Sequence, residues 1–371
     1  MNKNKVLYCI TGLNKGGAEK TLAMLCINAK QIKGSFEPVV VSIIGGFYLE
    51  MLQKAGIKCV VLLGESTVFS ALKEIFAIRK ERRSIKIIHS FMPYGCLLGI
   101  LFKLITGKKL IYSIRNSVLG GGGGKSNFFR DGTRYVTHWL SIKMSDHINV
   151  NSPYVVSLVK KEYNRDATVM LNCIEEPSAE QLEDLDIYNE FFSEKGVVHA
   201  VCVCNMKYPQ KDIPNLLKVA AVNQEKTKFT IVGDGHDLKM FRELSLDSGL
   251  KNVVFVGKRE NVYPFLNYAD VFVCLSRHEG FPNTILEAMV AGVPVVFSDI
   301  PELRGLLENE KHLLLFKNED TNAIHEAIVR LKSDQELKNM LVNNALHLVK
   351  EQFTVEKMVK RSLEIYNAGL D

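Results

Sequence analysis

Short apolar runs alternate with amphipathic stretches along most of the chain. Apolar runs fall at 6–11, 38–44, 58–63, 85–91, 109–114, 147–152 and 167–172. Rich in Val and Ile and bounded by polar or glycine-containing segments, they read as buried strands. Helical stretches lie between most of them, beginning with Ala18 to about Ala29. A second series starts at 197–204 and continues through 229–232, 253–256, 271–275, 293–297 and 313–316. Amphipathic helices near 321–332 and 334–350 follow, then a last one from Thr354 to about Ala368. Alternation of this kind builds parallel sheets with crossover helices on their faces, so the fold class is α/β, with two Rossmann-like doubly wound parallel-sheet domains.

The alternation pauses near Asn172–Ala179, where the composition turns acidic and Pro177-Ser178 reads as a linker. This predicts a first domain over 1–172, a second over 173–352, and a terminal helix over 353–371 that crosses back to the first. A chain of 371 residues with 47% apolar content can bury a core in each. No apolar run reaches the length of a membrane span: Gly95–Ile105 is short and broken by Lys103. That segment, continued to Lys109, reads as a core helix of the first domain, with an interfacial helix on a bilayer as the alternative. The start, Met1-Asn-Lys-Asn-Lys, leads into a strand without a cleavage pattern, so a cytoplasmic protein is expected. Eight cysteines without CxxC spacing read as reduced core residues.

Charge divides the chain. Residues 1–170 hold 25 Lys and Arg against 10 Asp and Glu, a net of +15, whereas the remainder carries −9. A basic first half suits a phosphate-rich partner, either an anionic membrane or nucleic acid. The latter finds no RRM, zinc or helix-turn-helix pattern to support it, and no nucleic-acid partner is expected.

The densest chemistry lies in Ser276-Arg-His-Glu279-Gly-Phe281-Pro282-Asn283-Thr284-Ile-Leu-Glu287-Ala-Met-Val-Ala-Gly292-Val-Pro294. Strand, loop, helix and strand at this spacing form a βαβ unit, with Pro282 in the helix's first turn and Gly292 at its exit. The loop and helix N-terminus then sit at the carboxyl edge of a parallel sheet, where open α/β sheets bind ligands. Glu279 lies in that loop, and Glu287 lies about one and a half turns into the helix, leaning back toward the same mouth. Backbone N–H groups from Phe281 onward, Pro282 excepted, suit phosphate oxygens, while carboxylates accept hydrogen bonds from sugar hydroxyls. A nucleotide sugar combines both needs. A solvated Glu287, with Glu279 merely complementing the helix dipole, is the other reading.

Other loops at strand ends add cations. Asn205-Met206-Lys207-Tyr-Pro-Gln-Lys211-Asp212 offers two lysines able to neutralise a diphosphate, or simply to be solvated. Gly16-Gly17-Ala18-Glu19 opens the first helix and lets backbone approach a phosphate. Arg115 and Asn116 end a strand where they can touch an acceptor or phosphate. A loop over 119–134 holds five consecutive glycines, then Lys125, Phe128, Phe129, Arg130 and Arg134, and suits an anionic acceptor or a membrane interface. Gly233-Asp-Gly235 reads as turn chemistry only. No Asp-x-Asp pair closes a strand: Asp184-Leu-Asp186 lies in the acidic linker.

Gly16-Gly17-Ala18-Glu19, the Lys211 loop, Ile231-Val-Gly-Asp-Gly235, Val256-Gly257 and Glu279-Gly-Phe-Pro-x4-Glu287-Ala-x3-Gly292-x-Pro294-Val resemble, in this order, glycosyltransferase family 4, the group 1 retaining transferases of GT-B fold. The likeness runs from residue 5 to about 350 and is densest over 197–310. It implies two domains facing across a cleft, the second binding a nucleoside diphosphate sugar and the first an acceptor. Uridine is the expected base, although neither base nor sugar is legible in the residues. By the resemblance Glu287 holds the ribose, Glu279 contacts the sugar hydroxyls, and Phe281, Asn283 and Thr284 meet the sugar and distal phosphate. Lys211 matches the diphosphate lysine. Lys207 stands for the family's arginine, Met206 being the other residue offered there, and Gly16 and Gly17 close over the phosphates. Arg115-Asn116 replaces a more common histidine. The implied activity is retaining sugar transfer without metal or other cofactor. With the basic first half, it suggests a lipid-linked saccharide acceptor at the inner face of a membrane, as in surface polysaccharide, lipopolysaccharide or capsule synthesis. A non-catalytic nucleotide-sugar binder and an epimerase of the same fold are the alternatives.

Overall fold

The computed structural model describes residues 4–31, 36–63, 76–116 and 128–370, giving backbone only at 31, 128–131, 134, 369 and 370. Met1–Cys173 with Phe353–Asp371 form one compact unit, and Ile174–Gln352 a second.

The first unit is a seven-stranded parallel sheet in the order β3-β2-β1-β4-β5-β6-β7. Its strands are β1 (Lys5–Gly12), β2 (Glu37–Ile44), β3 (Lys58–Val61), β4 (Ile85–Phe91), β5 (Lys109–Ile114), β6 (His147–Val150) and β7 (Thr168–Val169). Helices α1 (Gly17–Gln31), α2 (Phe47–Lys54), α3 (Pro93–Thr106), α4 (Phe128–Met144) and α5 (Pro153–Tyr163) connect them. The near-continuous Val/Ile runs are explained by burial on both faces. One face packs α1 and α2 against Val6, Tyr8, Ile10 and Val40. The other packs α3, α4 and α5 against Leu7, Cys9, Val41, Ile88 and Tyr112. Gly95 permits α3 to lie on β1, since a Cβ there would come within 2.7 Å of the Ile10 Cα.

The second unit holds a six-stranded parallel sheet, β10-β9-β8-β11-β12-β13. Its strands are β8 (Val198–Val203), β9 (Thr227–Val232), β10 (Val253–Gly257), β11 (Val271–Cys274), β12 (Val295–Ser298) and β13 (Leu314–Phe316). Its main helices are α6 (Ile213–Val222), α7 (Leu238–Asp247), α8 (Tyr263–Asn267), α9 (Asn283–Val290), α10 (Thr321–Ser333) and α11 (Gln335–Gln352), preceded by short helical turns at Ala179–Leu182, Leu185–Ile187 and Tyr188–Phe192. The last helix, α12 (Val355–Leu370), packs on α1 and β4 of the first unit, adding Met358, Val359, Ile365 and Tyr366 to its core.

In both sheets the chain starts centrally, runs outward over three strands, then returns to the other side of the first. The order therefore reverses between β1 and β4 and between β8 and β11, the two positions where open α/β sheets leave a crevice at their carboxyl edge.

Several local expectations are corrected. The loop expected to run to Arg134 ends earlier, because α4 already starts at Phe128. Gly120–Gly124 and Lys125 lie outside the described residues, as do the side chains of Phe128, Phe129, Arg130 and Arg134. Pro282 precedes α9 as its N-cap instead of sitting in its first turn, whereas Gly292 takes a positive φ of 72° just past the end, as a C-terminal glycine should. β7 is two residues long, not six, because the chain leaves the sheet at Met170. Asp184 is an N-cap: its Oδ1 accepts from the Asp186 and Ile187 N–H groups at 3.1 Å. The segment expected as a helix over 95–109 is helical only to Thr106: α3 buries Cys96, Leu98, Gly99 and Phe102 and exposes Tyr94, Leu101 and Leu104, then stops at Gly107, which takes a positive φ of 69°, before Lys109 opens β5.

Candidate functional site

The loops leaving β8 and β11 meet at the switch point of the second sheet. Lys211 and Ser276 form an antiparallel bridge between them, and the Arg277 N–H donates to the Gln210 carbonyl at 2.9 Å. This pairing sets Lys211 beside Glu279. The ammonium donates to Glu279 Oε1 at 2.5 Å and to Ser276 Oγ at 3.2 Å, with Cys274 Sγ 4.0 Å away. Both side chains are buried, at 8% and 10% exposure, so neither charge would be tolerated without the other. Burial alone would depress the lysine's pKa, but Cys274 and Glu279 outweigh it and raise it, keeping the ammonium protonated.

A second buried network supports the pair. Asp212, next to Lys211, is 1% exposed, and its Oδ2 accepts from Asn215 Nδ2, Asn318 Nδ2 and Arg277 Nη2, each at 3.0 Å. Asn318 Oδ1 accepts from Ser298 Oγ at 2.5 Å, and Ser298 Oγ accepts from the Ser276 N–H at 2.7 Å. Glu302 Oε1 accepts from the Glu279 N–H at 3.3 Å. The ends of β8, β11, β12 and β13 are thereby locked around one polar centre. Asp212, Arg277, Ser298, Glu302 and Asn318 were not singled out in the sequence. The only cue was polar residues directly after apolar strands, which many loops share.

Gly233 and Gly235 do more than make a turn. A Cβ on Gly233, at φ 139°, would stand 1.9 Å from the Cys204 carbonyl oxygen, and one on Gly235 would stand 2.4 Å from that of Met206. Glycine lets the β9 loop press on the backbone of the Lys207 loop, where the Met206 N–H donates to the Asp234 carbonyl at 2.9 Å and the Tyr208 N–H to Asp237 Oδ2 at 2.8 Å. Met206 is fully buried and Lys207 exposed, so of the two residues offered for the arginine position only Lys207 presents its side chain to solvent.

Beside the pair stands the N-terminus of α9. Phe281 and Pro282 are buried, Asn283 and Thr284 half-buried, and Thr284 Oγ1 is out of solvent reach without a hydrogen-bond partner. Glu287, on the second turn, is half-buried and bears electrostatically on Tyr263 at the start of α8, whose phenol is raised by burial first and by Glu287 and Glu175 next.

The remaining sequence candidates belong to the first unit. The carboxylate of Glu19 lies against Gly16, where an added Cβ would come within 2.3 Å of it, and burial raises its pKa. Thr21 Oγ1 donates to the Gly17 carbonyl at 2.8 Å in the first turn of α1. Arg115 and Asn116 follow β5, both half-buried. Arg115 Nη1 donates to the Met170 carbonyl at 2.8 Å and to Asn172 Oδ1 at 3.3 Å.

Residues 199–347 match the family described as glycosyl transferases group 1. The N-acetyl-alpha-D-glucosaminyl L-malate synthase of Bacillus anthracis is 25% identical over 304 residues, 78% of this chain and 75% of its own length. The UDP-Gal:alpha-D-GlcNAc-diphosphoundecaprenol alpha-1,3-galactosyltransferase of Escherichia coli is 32% identical over 141 residues, 37% of this chain and 36% of its own. Among solved structures, Anabaena HepE in complex with UDP and glucose gives a TM-score of 0.81 at 16% identity, covering 98% of this chain and all of that one. Sucrose-phosphate synthase from Thermosynechococcus elongatus gives 0.79 at 17%, covering 99% of each. These likenesses show the GT-B fold, two α/β domains each built on a parallel sheet.

Proposed function

We propose, from the match of residues 199–347 to the group 1 glycosyl transferases, that this chain moves a sugar from a UDP-sugar, with retention, to a lipid-linked saccharide in surface polysaccharide or lipopolysaccharide synthesis. The observation that carries the reading is the Lys211–Glu279 pair at the β8/β11 switch point, beside a helix N-terminus whose Thr284 hydroxyl lacks a partner. An acid that accepts from sugar hydroxyls thus stands next to donors suited to phosphate. The relatives support the donor and acceptor classes by name: HepE is solved with UDP and glucose, and the Escherichia coli enzyme is named for a UDP-sugar and a diphosphoundecaprenol acceptor.

In this reading Glu279 orients the donor sugar, held in place by Lys211, and Glu287 takes the ribose hydroxyls. As the glycosidic bond breaks, charge gathers on the leaving diphosphate. Lys207, Lys211 and the N–H groups at Phe281, Asn283 and Thr284 stabilise it in place of a metal ion. Gly16, Gly17, Glu19, Arg115 and Asn116 serve the substrates from the first domain. The basic first 170 residues favour peripheral contact with an anionic membrane on its cytoplasmic face.

The test is a panel of nucleotide sugars scored by thermal shift, then by released nucleoside diphosphate with and without membrane extract. One or more UDP-sugars should raise the melting temperature, and diphosphate release should require the extract. Glu287→Ala should weaken donor binding roughly ten- to hundredfold, the worth of hydrogen bonds to a charged group. A panel in which no nucleotide sugar shifts the melting temperature refutes the proposal.

A further inference from the structure

Arg115 closes β5 at the carboxyl edge of the first sheet, and its guanidinium is only partly used. Nη1 is engaged by the Met170 carbonyl and Asn172 Oδ1, and the group lies over the Phe91 ring, 5.5 Å from its centroid. These contacts fix the plane of the guanidinium. Nε and Nη2 are out of solvent reach and have no hydrogen-bond partner. They are also the two nitrogens whose N–H bonds run parallel, the side-on fork that fits two oxygens of one planar anion.

A cation with donors held out of solvent normally has an acid beside it. Among the described residues, the groups that bear on the charge of Arg115 are Cys173, Tyr366 and His89, with no carboxylate among them. Burial lowers its pKa only to about 10, so it stays protonated at neutral pH. Leaving such donors unmade is costly, and more so where the group is charged. Occupation of the fork by a ligand would remove that cost. One guanidinium balances one negative charge, which favours a carboxylate over the dianion of a phosphate monoester.

We infer that Arg115 is a specificity residue for a carboxylate-bearing sugar, a uronate gripped side-on by Nε and Nη2. The saccharide part of this inference rests on the sugar-transfer reading; the carboxylate part rests on Arg115 alone. The carboxylate can enter on the donor or on the acceptor, and two matched pairs of probes separate these sources: UDP-glucuronate against UDP-glucose, and methyl glucuronide against methyl glucoside. Binding to the full-length chain is measured by calorimetry, with UDP alone as an independent reading of the transferase proposal.

In at least one pair the charged member should bind roughly ten- to hundredfold more tightly than the neutral one. The preference should vanish in Arg115→Gln and be partial in Arg115→Lys, which keeps the charge but not the fork. Circular dichroism melting shows whether each variant is folded, and if Arg115→Gln is not, Arg115→Lys carries the comparison. Equal affinities within both pairs for the wild type, or an undiminished preference in the folded variant, overturns the inference even if UDP binds. Failure of UDP to bind overturns the transferase reading instead.

Discussion

Lys211 shows how a single residue can be structural and chemical at once. Its ammonium and the Glu279 carboxylate are 2.5 Å apart and both buried. Removing either one alone leaves an uncompensated charge, at a cost of about 3–5 kcal/mol. Lys211→Ala should therefore reduce folding stability as well as transfer, whereas Lys211→Met with Glu279→Leu should recover most of the stability and none of the activity. Urea unfolding of the single and double variants, paired with a transfer assay, reads both effects. A single variant as stable as wild type would show that the pair contributes nothing to the fold. The pH response has a definite sign. The lysine's pKa is raised on folding, so its contribution is complete below the ordinary lysine range and is lost only as pH climbs beyond it. Glu279 was legible in the sequence because a buried strand, a loop and a proline-led helix fix the neighbourhood of one acid. Asp212 and Asn318 were not legible, because their contact spans 106 residues and depends on the order of strands in the sheet.

At the scale of elements, most strands fall within a residue or two of where the apolar runs put them, since a parallel strand buried on both faces has little room for polar residues. The short β7 and the early start of α4 were not visible: local propensity does not say where tertiary packing pulls the chain away from a sheet or extends a helix. What holds α12 to the first unit was equally hidden. Tyr366 Oη is 2.9 Å from Tyr8 Oη and 2.6 Å from His89 Nδ1. The network continues from His89 Nε2 to Ser113 Oγ at 2.7 Å, which donates to Asn149 Oδ1 at 2.5 Å. Four strands and the last helix are tied together inside the core. Tyr366→Phe leaves Tyr8 and His89 each short of a partner and should cost about 1–3 kcal/mol. A melting temperature unchanged by Tyr366→Phe would mean that this phenol adds nothing to the hold on α12. Burial also pushes the His89 pKa well below its ordinary value. The unfolded chain then binds a proton that the folded one refuses, so stability falls as pH drops below about 6.5, by up to ~1.4 kcal/mol per pH unit for this group. His147, His278, His312 and His325 shift in the same direction. His89→Asn should accordingly flatten the acid limb of stability against pH without abolishing it.

For the molecule as a whole, the charge count read from the sequence acquires a surface to act through. Helices α3 and α4 pack side by side on the same face of the first sheet, so their outer sides look the same way. α3 presents Tyr94, Leu101 and Leu104, the last 72% exposed, and α4 presents Tyr135, Val136 and Trp139. Among the described residues, none of the helices is long and apolar enough to cross a membrane, but side chains of this kind need only enter the interface. Tyr and Trp suit that layer, with an apolar ring and a polar edge, and Lys108, Lys109 and Lys143 border the same two helices. An anionic bilayer matches both the apolar faces and the net charge of +15 over residues 1–170. The full-length chain should co-sediment with phosphatidylglycerol vesicles at low salt, bind phosphatidylcholine vesicles weakly, and be partly released as ionic strength rises. Leu104→Glu with Trp139→Glu should reduce vesicle binding about tenfold or more, because each exchanges an inserted apolar side chain for a charge that the anionic surface repels. Binding that follows salt but ignores this pair of substitutions would assign the contact to basic residues elsewhere on the first unit, and absence of binding at low salt would remove the membrane from the proposed reaction.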